Sequence, residues 1–198
     1  MKIVNWFDDK RRVEEFRGWF TGESSYTTEQ MNEYLYGLMA HVRYVQEAGK
    51  KLGVIEEQLL FHDQSKFSRV EFPAAVERFK AGDPNPNRYA AAWLNHVHQN
   101  AHHWQHWLFP DGFSPRGSSV EAGVMAMPEI YVREMVADWM GSSMAYTGSW
   151  DMTKWLVENM GRIRLHSRTA VMVRGLLIEL GYSADVVGTP WAQEKVDG

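Results

Sequence analysis

Residues 59–67 read LLFHDQSKF, an apolar run followed by an imidazole, a carboxylate and, three positions later, a lysine. His62 and Asp63 side by side are costly to bury without partners. A metal ion, an internal salt bridge or a surface turn would each account for the pair. The chain has no cysteine, so any metal must be held by nitrogen and oxygen donors. Such donors are concentrated, since five of the eight histidines fall within residues 96–106, in the block AWLNHVHQNAHHWQHW.

The elements that must position these groups all read as helices. Thr27 followed by Gln30 has the spacing of a capping box, and a long helix should run from there to about Leu52, with Gly53 as its stop. Along it Met31, Leu35, Leu38, Val42, Val45 and Leu52 form a seam at steps of three and four. His41 lies one turn from both Leu38 and Val45, at the edge of that seam. A second helix over about 54–63 would end near His62–Asp63. A third covers roughly 69–80, with Pro73 tolerated near its first turn, and AGDPNPN is a loop. Pro128 suits the start of a helix reaching about Ser142, which carries Asp138. Two more are expected over about 150–160 and 168–180, with Gly181 as stop.

The histidine block is expected to lie on one helix from about Arg88 to Trp107. On it His96, Asn100 and His103 share one face, His98 and His102 another, and His106 follows both groups. A rise of about 1.5 Å per residue sets His96 and His103 roughly 10 Å apart along the axis. They would serve two neighbouring ions more readily than one. Either face could supply metal ligands, His96 and His103 on one and His98 and His102 on the other, with His106 within reach of both.

The chain length of 198 residues fits one domain with its own core. The expected division is an N-terminal arm (1–26), an all-α helical domain (27–182) and a C-terminal tail (183–198); residues 108–127, rich in Gly, Pro and Ser, form a long loop or flap. A net charge of -4 offers no basic face, so a nucleic-acid partner is not expected. MKIVNWFDDKRR lacks the apolar core of a signal peptide and no run of about 18 apolar residues occurs, so no membrane span and a cytoplasmic location are expected. Homo-oligomerisation is compatible with all of this.

A His on one helix, a His-Asp doublet on the next and a lone Asp on a late helix resembles the HD superfamily of metal-dependent phosphohydrolases. HDQSK is similar to that superfamily's HD-x-x-K form, in which a lysine beside the metal pairs with a negative substrate group. HDQSKFSRVEF, the histidine block and MPEIYVREMVADWMG together, within residues 31–177, look like an uncharacterised family of phage and bacterial proteins assigned to the superfamily. The resemblance implies a single HD-like helical bundle with His41, His62, Asp63 and Asp138 as metal ligands. It also implies a second ion held by cluster histidines, with His96 and His103 the first choice and His98, His102 and His106 as alternates, although their spacing within 96–106 is shorter than in other two-metal members. Mn, Fe, Ni, Co, Mg and Zn are not distinguished.

The function this implies is hydrolysis of a nucleotide or related small phosphoester at a mono- or dinuclear site. Lys66 would neutralise charge on the substrate, and Glu71, eight residues beyond Asp63, would move protons. Among the cations of residues 162–174, Arg168 is the candidate for a phosphate contact, although an ordinary charged face explains that group as well. The loop 108–127 could act as a lid. Two alternatives stand beside hydrolysis: a mixed-valence di-iron oxygenase of the same superfamily, and a binding module in which a metal only staples helices.

Overall fold

The protein is described by a computed structural model covering residues 10–20, 25–110 and 113–187. Its first helix, α1 (Lys10–Phe20), inserts Phe16 edge-on against Phe67 and Phe72, at ring separations of 5.5 and 4.9 Å. The expected N-terminal arm is thus part of the bundle where it is described, and residues 1–9 and 21–24 lie outside the described residues.

Helix α2 (Thr28–Lys51) begins with the anticipated box: the Thr27 hydroxyl accepts from the Gln30 amide, and the Gln30 side chain accepts from the Thr27 amide. Gly53 follows its end at φ 74°, a conformation glycine adopts without a Cβ clash. The seam residues are buried, and His41 is buried beside them. Short α3 (Glu56–Phe61) is followed by a 3-10 turn at Gln64–Phe67 and by α4 (Phe72–Lys80). Helix α5 (Pro86–Gln99) starts on an Asn85 cap. Then come α6 (Glu129–Thr147), α7 (Thr153–Asn159), α8 (Ser167–Glu179) and α9 (Ala184–Val187).

Helices α2 and α6 make the most extensive pairing in the bundle. They approach so closely at Gly141 that an added Cβ would lie 2.5 Å from Val45 Cγ2 and 2.6 Å from the Val45 amide nitrogen. Arg133 of α6 also donates to the free Leu52 carbonyl at the end of α2, at 2.8 Å. The larger core fills the space between α2, α6, α7 and α8, around Val45, Val132, Val136, Leu156 and Val173. A smaller one gathers Phe16, Met31, Leu35 and Phe72 at the other end of α2.

The all-α, single-bundle expectation agrees with this architecture; among the described residues there is no strand, and Leu108, Glu121 and Val124 form only isolated bridges. Three boundaries differ. The third helix starts at Phe72, and α6 continues five residues past Ser142. The histidine block is not one helix: α5 stops at Gln99 and the chain turns back before a 3-10 turn at Trp104–Trp107. The expected tail contributes α9, in which Val187 is buried, and residues 188–198 lie outside the described residues. No described helix is long and apolar enough to cross a membrane.

Candidate metal centre

In a continuous helix neighbouring side chains diverge by about 100°, so His62 and Asp63 could not both face one point. The backbone solves this by leaving the helix. His62 is extended (φ -53°, ψ 126°) and Asp63 is left-handed (φ 57°, ψ 18°), a region that Asp tolerates better than most residues. Both side chains are buried and point into the middle of the bundle.

Two sets of donors meet there. In one, His41 Nε2 lies 3.0 Å from Asp63 Oδ2 and 3.2 Å from Asp138 Oδ1, and His62 Nε2 lies 3.5 Å from the same two oxygens. In the other, Asp63 Oδ1 lies 3.3 Å from His96 Nε2 and 3.4 Å from His102 Nε2, with His103 Nε2 a further 2.8 Å from His96 Nε2. Within each set the donor atoms all lie within 4.8 Å of one another. Ligands at about 2.0–2.2 Å from a shared ion sit roughly 3.0–3.5 Å apart along the edges of an octahedron or tetrahedron. Both sets match that spacing, and Asp63 contributes one oxygen to each.

The hydrogen bonds around the sets engage the outer nitrogens of three of the histidines. His62 Nδ1 and His102 Nδ1 both donate to Glu134 Oε1, at 2.9 and 3.2 Å. Gln58 donates to the other Glu134 oxygen. His96 Nδ1 donates to Glu71 Oε2 at 2.8 Å, and Ser65 and Asn95 fix the same carboxylate. With Nδ1 protonated, a neutral imidazole presents a lone pair at Nε2. His62 Nε2, His102 Nε2 and Asp63 Oδ1 are buried and make no hydrogen bond. Buried acceptors converging on acceptors are strongly unfavourable unless a cation lies between them. The buried His/Asp cluster can therefore hold metal.

In the ion-free cluster the same carboxylates hold a proton where a cation would stand. Burial would favour a neutral Asp63, but Lys66 and then His62 hold it well below the usual carboxylate range. Burial would also neutralise His62, but Asp63, Asp138 and Glu134 push it up to about 10. Glu134, against its own burial, is drawn down to about 2 by its bonds from His102 and His62. His103 goes the other way, lowered by burial and by the neighbouring His102. Lys66 donates to Asp63 Oδ2 at 2.6 Å, which keeps the ammonium charged despite its partial burial.

The expected residues are distributed as follows. His41, His62, Asp63, His96, His103 and Asp138 come together, and the alternate His102 joins them as a third imidazole of the second set. His96 and His103 are not 10 Å apart, because the helix breaks at Asn100, whose side chain donates to the His96 carbonyl and to Ser65 Oγ. Their ring centres are 4.7 Å apart. His98 is exposed on the outer face of α5, and His106 is spent on the Val97 carbonyl at 3.0 Å, so neither alternate reaches the centre. Glu71 stands in the wall of the first cavity described next, where Ser65, Asn95 and His96 all bond to its carboxylate. Arg168 is exposed in the first turn of α8 near Glu121, outside both cavities described next. Glu134, one turn before Asp138 on α6, is the clamp on two of the imidazoles.

A cavity of about 230 Å³ opens over the centre, with Lys66, His96, His103 and Asp138 in its wall beside Tyr34 and Tyr89. A second, of about 490 Å³, meets it at His103, Asp138 and Tyr146. The centre is therefore reachable from two sides.

Comparison with known proteins finds one family model, described as "Family of unknown function (DUF5662)", that matches residues 30–178, a stretch containing every donor named above. No curated protein and no solved structure matches the chain.

Proposed function

This chain belongs to the DUF5662 family, and we propose that it is a metal-dependent phosphohydrolase of the HD type, acting on a nucleotide or related small phosphoester at a dinuclear centre. The observation that carries this reading is the position of Asp63. Its two oxygens serve two separate donor sets, and its Lys66 partner stands in the wall of a cavity that opens on both. A purely structural metal would have a closed ligand shell, whereas an ion held by these residues would be flanked by open space.

Divalent ions in these sets would supply Lewis-acid polarisation of a phosphoryl oxygen and activation of water at neutral pH. The chain's own groups do the rest. Lys66 carries a positive charge into the cavity and can meet a phosphate oxygen while keeping Asp63 ionised. Asp138 stands at the junction of the two cavities, and Glu71, in the wall of the first and outside both donor sets, can accept a proton from an attacking water. Glu134 and Glu71 keep three imidazoles in the tautomer that binds through Nε2.

The donor set is entirely nitrogen and oxygen, with three imidazoles and a carboxylate in the second group, which also suits iron. One pair of measurements separates hydrolysis from di-iron oxygenation. Metal content is determined on the purified protein, and phosphate release is followed across nucleoside mono-, di- and triphosphates with Mn²⁺ or Co²⁺ added. Two ions per chain and turnover abolished by Asp63→Asn are expected. Two irons, an oxidised di-iron absorption band and no phosphate release anywhere in the panel would replace hydrolysis with oxygenation.

A further inference from the structure

The second cavity is built differently from the first. Trp93, Trp104, Trp139 and Trp155 line it together with Tyr146, and its one cationic side chain, Arg162, is exposed. Trp139 and Trp155 lie with ring centres 5.1 Å apart at 44°. Trp93 and Trp155 each keep 37% of their surface exposed, although an indole has more to gain from burial than almost any side chain. Four indoles around one cavity, two of them incompletely covered, are a surface that a flat ring would complete.

Size and charge divide the work between the cavities. About 230 Å³ beside Lys66 is below the range of roughly 300–1,000 Å³ common for small-molecule sites. It takes a phosphoryl group beside Lys66 with room to spare, although it is the smaller of the two. The adjoining 490 Å³ lies within that range and is walled mainly by apolar rings. The two join at His103 and Asp138, so a molecule with its phosphate at the centre can send the remainder past Tyr146 into the larger, more apolar cavity with its four indoles.

We infer that the tryptophan-lined cavity binds the planar ring of the substrate, which makes the substrate class a phosphoester bearing an aromatic or heteroaromatic ring. The inference rests on the proposed hydrolysis only in placing the phosphate at the centre. Rings stack on indole faces with little regard to the ring's identity, so a nucleobase and a simple aryl group share this chemistry.

Isothermal titration of the metal-loaded full chain with AMP, phenyl phosphate and ribose 5-phosphate tests it. At least one ring-bearing ligand is expected to bind about tenfold or more tightly than ribose 5-phosphate. That preference should fall below about threefold in Trp155→Ala and in the milder Trp155→Leu, and persist in Trp150→Ala, whose indole packs on Tyr44 outside this cavity. A preference for AMP over phenyl phosphate identifies a nucleobase as the ring, and the reverse identifies a simple aryl group. Equal binding of all three ligands, no binding of any, or a preference untouched at Trp155 would overturn the inference. Phosphate release from the same compounds is measured in parallel. Ring preference without turnover removes hydrolysis and keeps the cavity assignment; turnover without ring preference does the opposite.

Discussion

His102 Nε2 lies 3.4 Å from Asp63 Oδ1, and neither atom completes a hydrogen bond. The His102 proton is committed on the other side of the ring, to Glu134. With its Nε2 unprotonated, His102 would face Asp63 as one buried acceptor against another, an arrangement that a cation between them relieves. Of the two sets built on Asp63, Asp63 belongs to both and His102 to one; His102 also meets His62 and Glu134 in a third group that lacks Asp63.

That inequality fixes the outcome of two substitutions. His102→Ala should leave the set of His41, His62, Asp63 and Asp138 intact and retain about one ion of two after dialysis. Asp63→Asn should lose most of both, since the amide that replaces one oxygen no longer carries the charge. Metal analysis by mass spectrometry on the two variants reads this directly. Two ions retained in His102→Ala would mean that its imidazole is not a ligand.

Glu134→Gln removes no donor from either set. It removes the acceptor that holds His62 and His102 in one tautomer, and partners of this kind are worth about 10–100-fold in metal affinity. A loss of that size is expected in a competition titration against a chelating dye, with the fold unchanged by circular dichroism. Glu71→Gln should weaken only the set containing His96.

Much of this geometry was legible in the sequence because it is local. The Thr27–Gln30 box, the apolar seam of α2 and the place of His41 at its edge follow from spacing alone, as does Asp138 on its helix. What stayed hidden depends on contacts between distant segments. No glycine or proline marks the break in HVHQNAHH; α5 ends there because Asn100 finds Ser65, 35 residues away. Periodicity therefore separated His96 from His103 and gave His102 the wrong face. Glu134 and Glu71 were visible as carboxylates at helical spacing, but their duty as imidazole clamps appears only once α3, α5 and α6 are packed.

Acid and alkali should act in opposite senses on the stripped and loaded protein. Without ions, burial disfavours a charged His62, yet Asp63, Asp138 and Glu134 raise it from 6.5 to about 10. A group whose pKa is raised by folding contributes stability that is full below its unfolded value and is lost as pH climbs through the folded one. The melting temperature of the chelated protein should thus decline between about pH 6.5 and 10. In the loaded protein, Nε2 must give up its proton to bind metal, so affinity rises over the same interval. Thermal melts with and without chelator check both slopes, and His62→Gln should flatten the first. A chelated protein that melts higher at pH 9 than at pH 7 would contradict the charge arrangement.

Gly141→Ala connects the packing of the bundle to the centre. Alanine improves helix propensity by up to about 1 kcal/mol, and at Gly37, where a Cβ would meet nothing within 4 Å, that gain should appear as a small rise in stability. At Gly141 the added carbon would sit 2.6 Å from the Val45 backbone nitrogen, an obstacle that cannot rotate away. Overpacking of this kind costs about 1–3 kcal/mol, so the net effect should be destabilising, with a melting temperature lower by a few degrees. Relief requires α6 to move off α2. Asp138 lies one turn before Gly141 and is held 3.2 Å from His41 across that same contact. The ion shared by His41, His62, Asp63 and Asp138 should therefore weaken, while the one on His96, His102 and His103 is largely kept. A Gly141→Ala protein as stable as the parent, with both ions bound at parental affinity, would show that α2 and α6 are not in contact there.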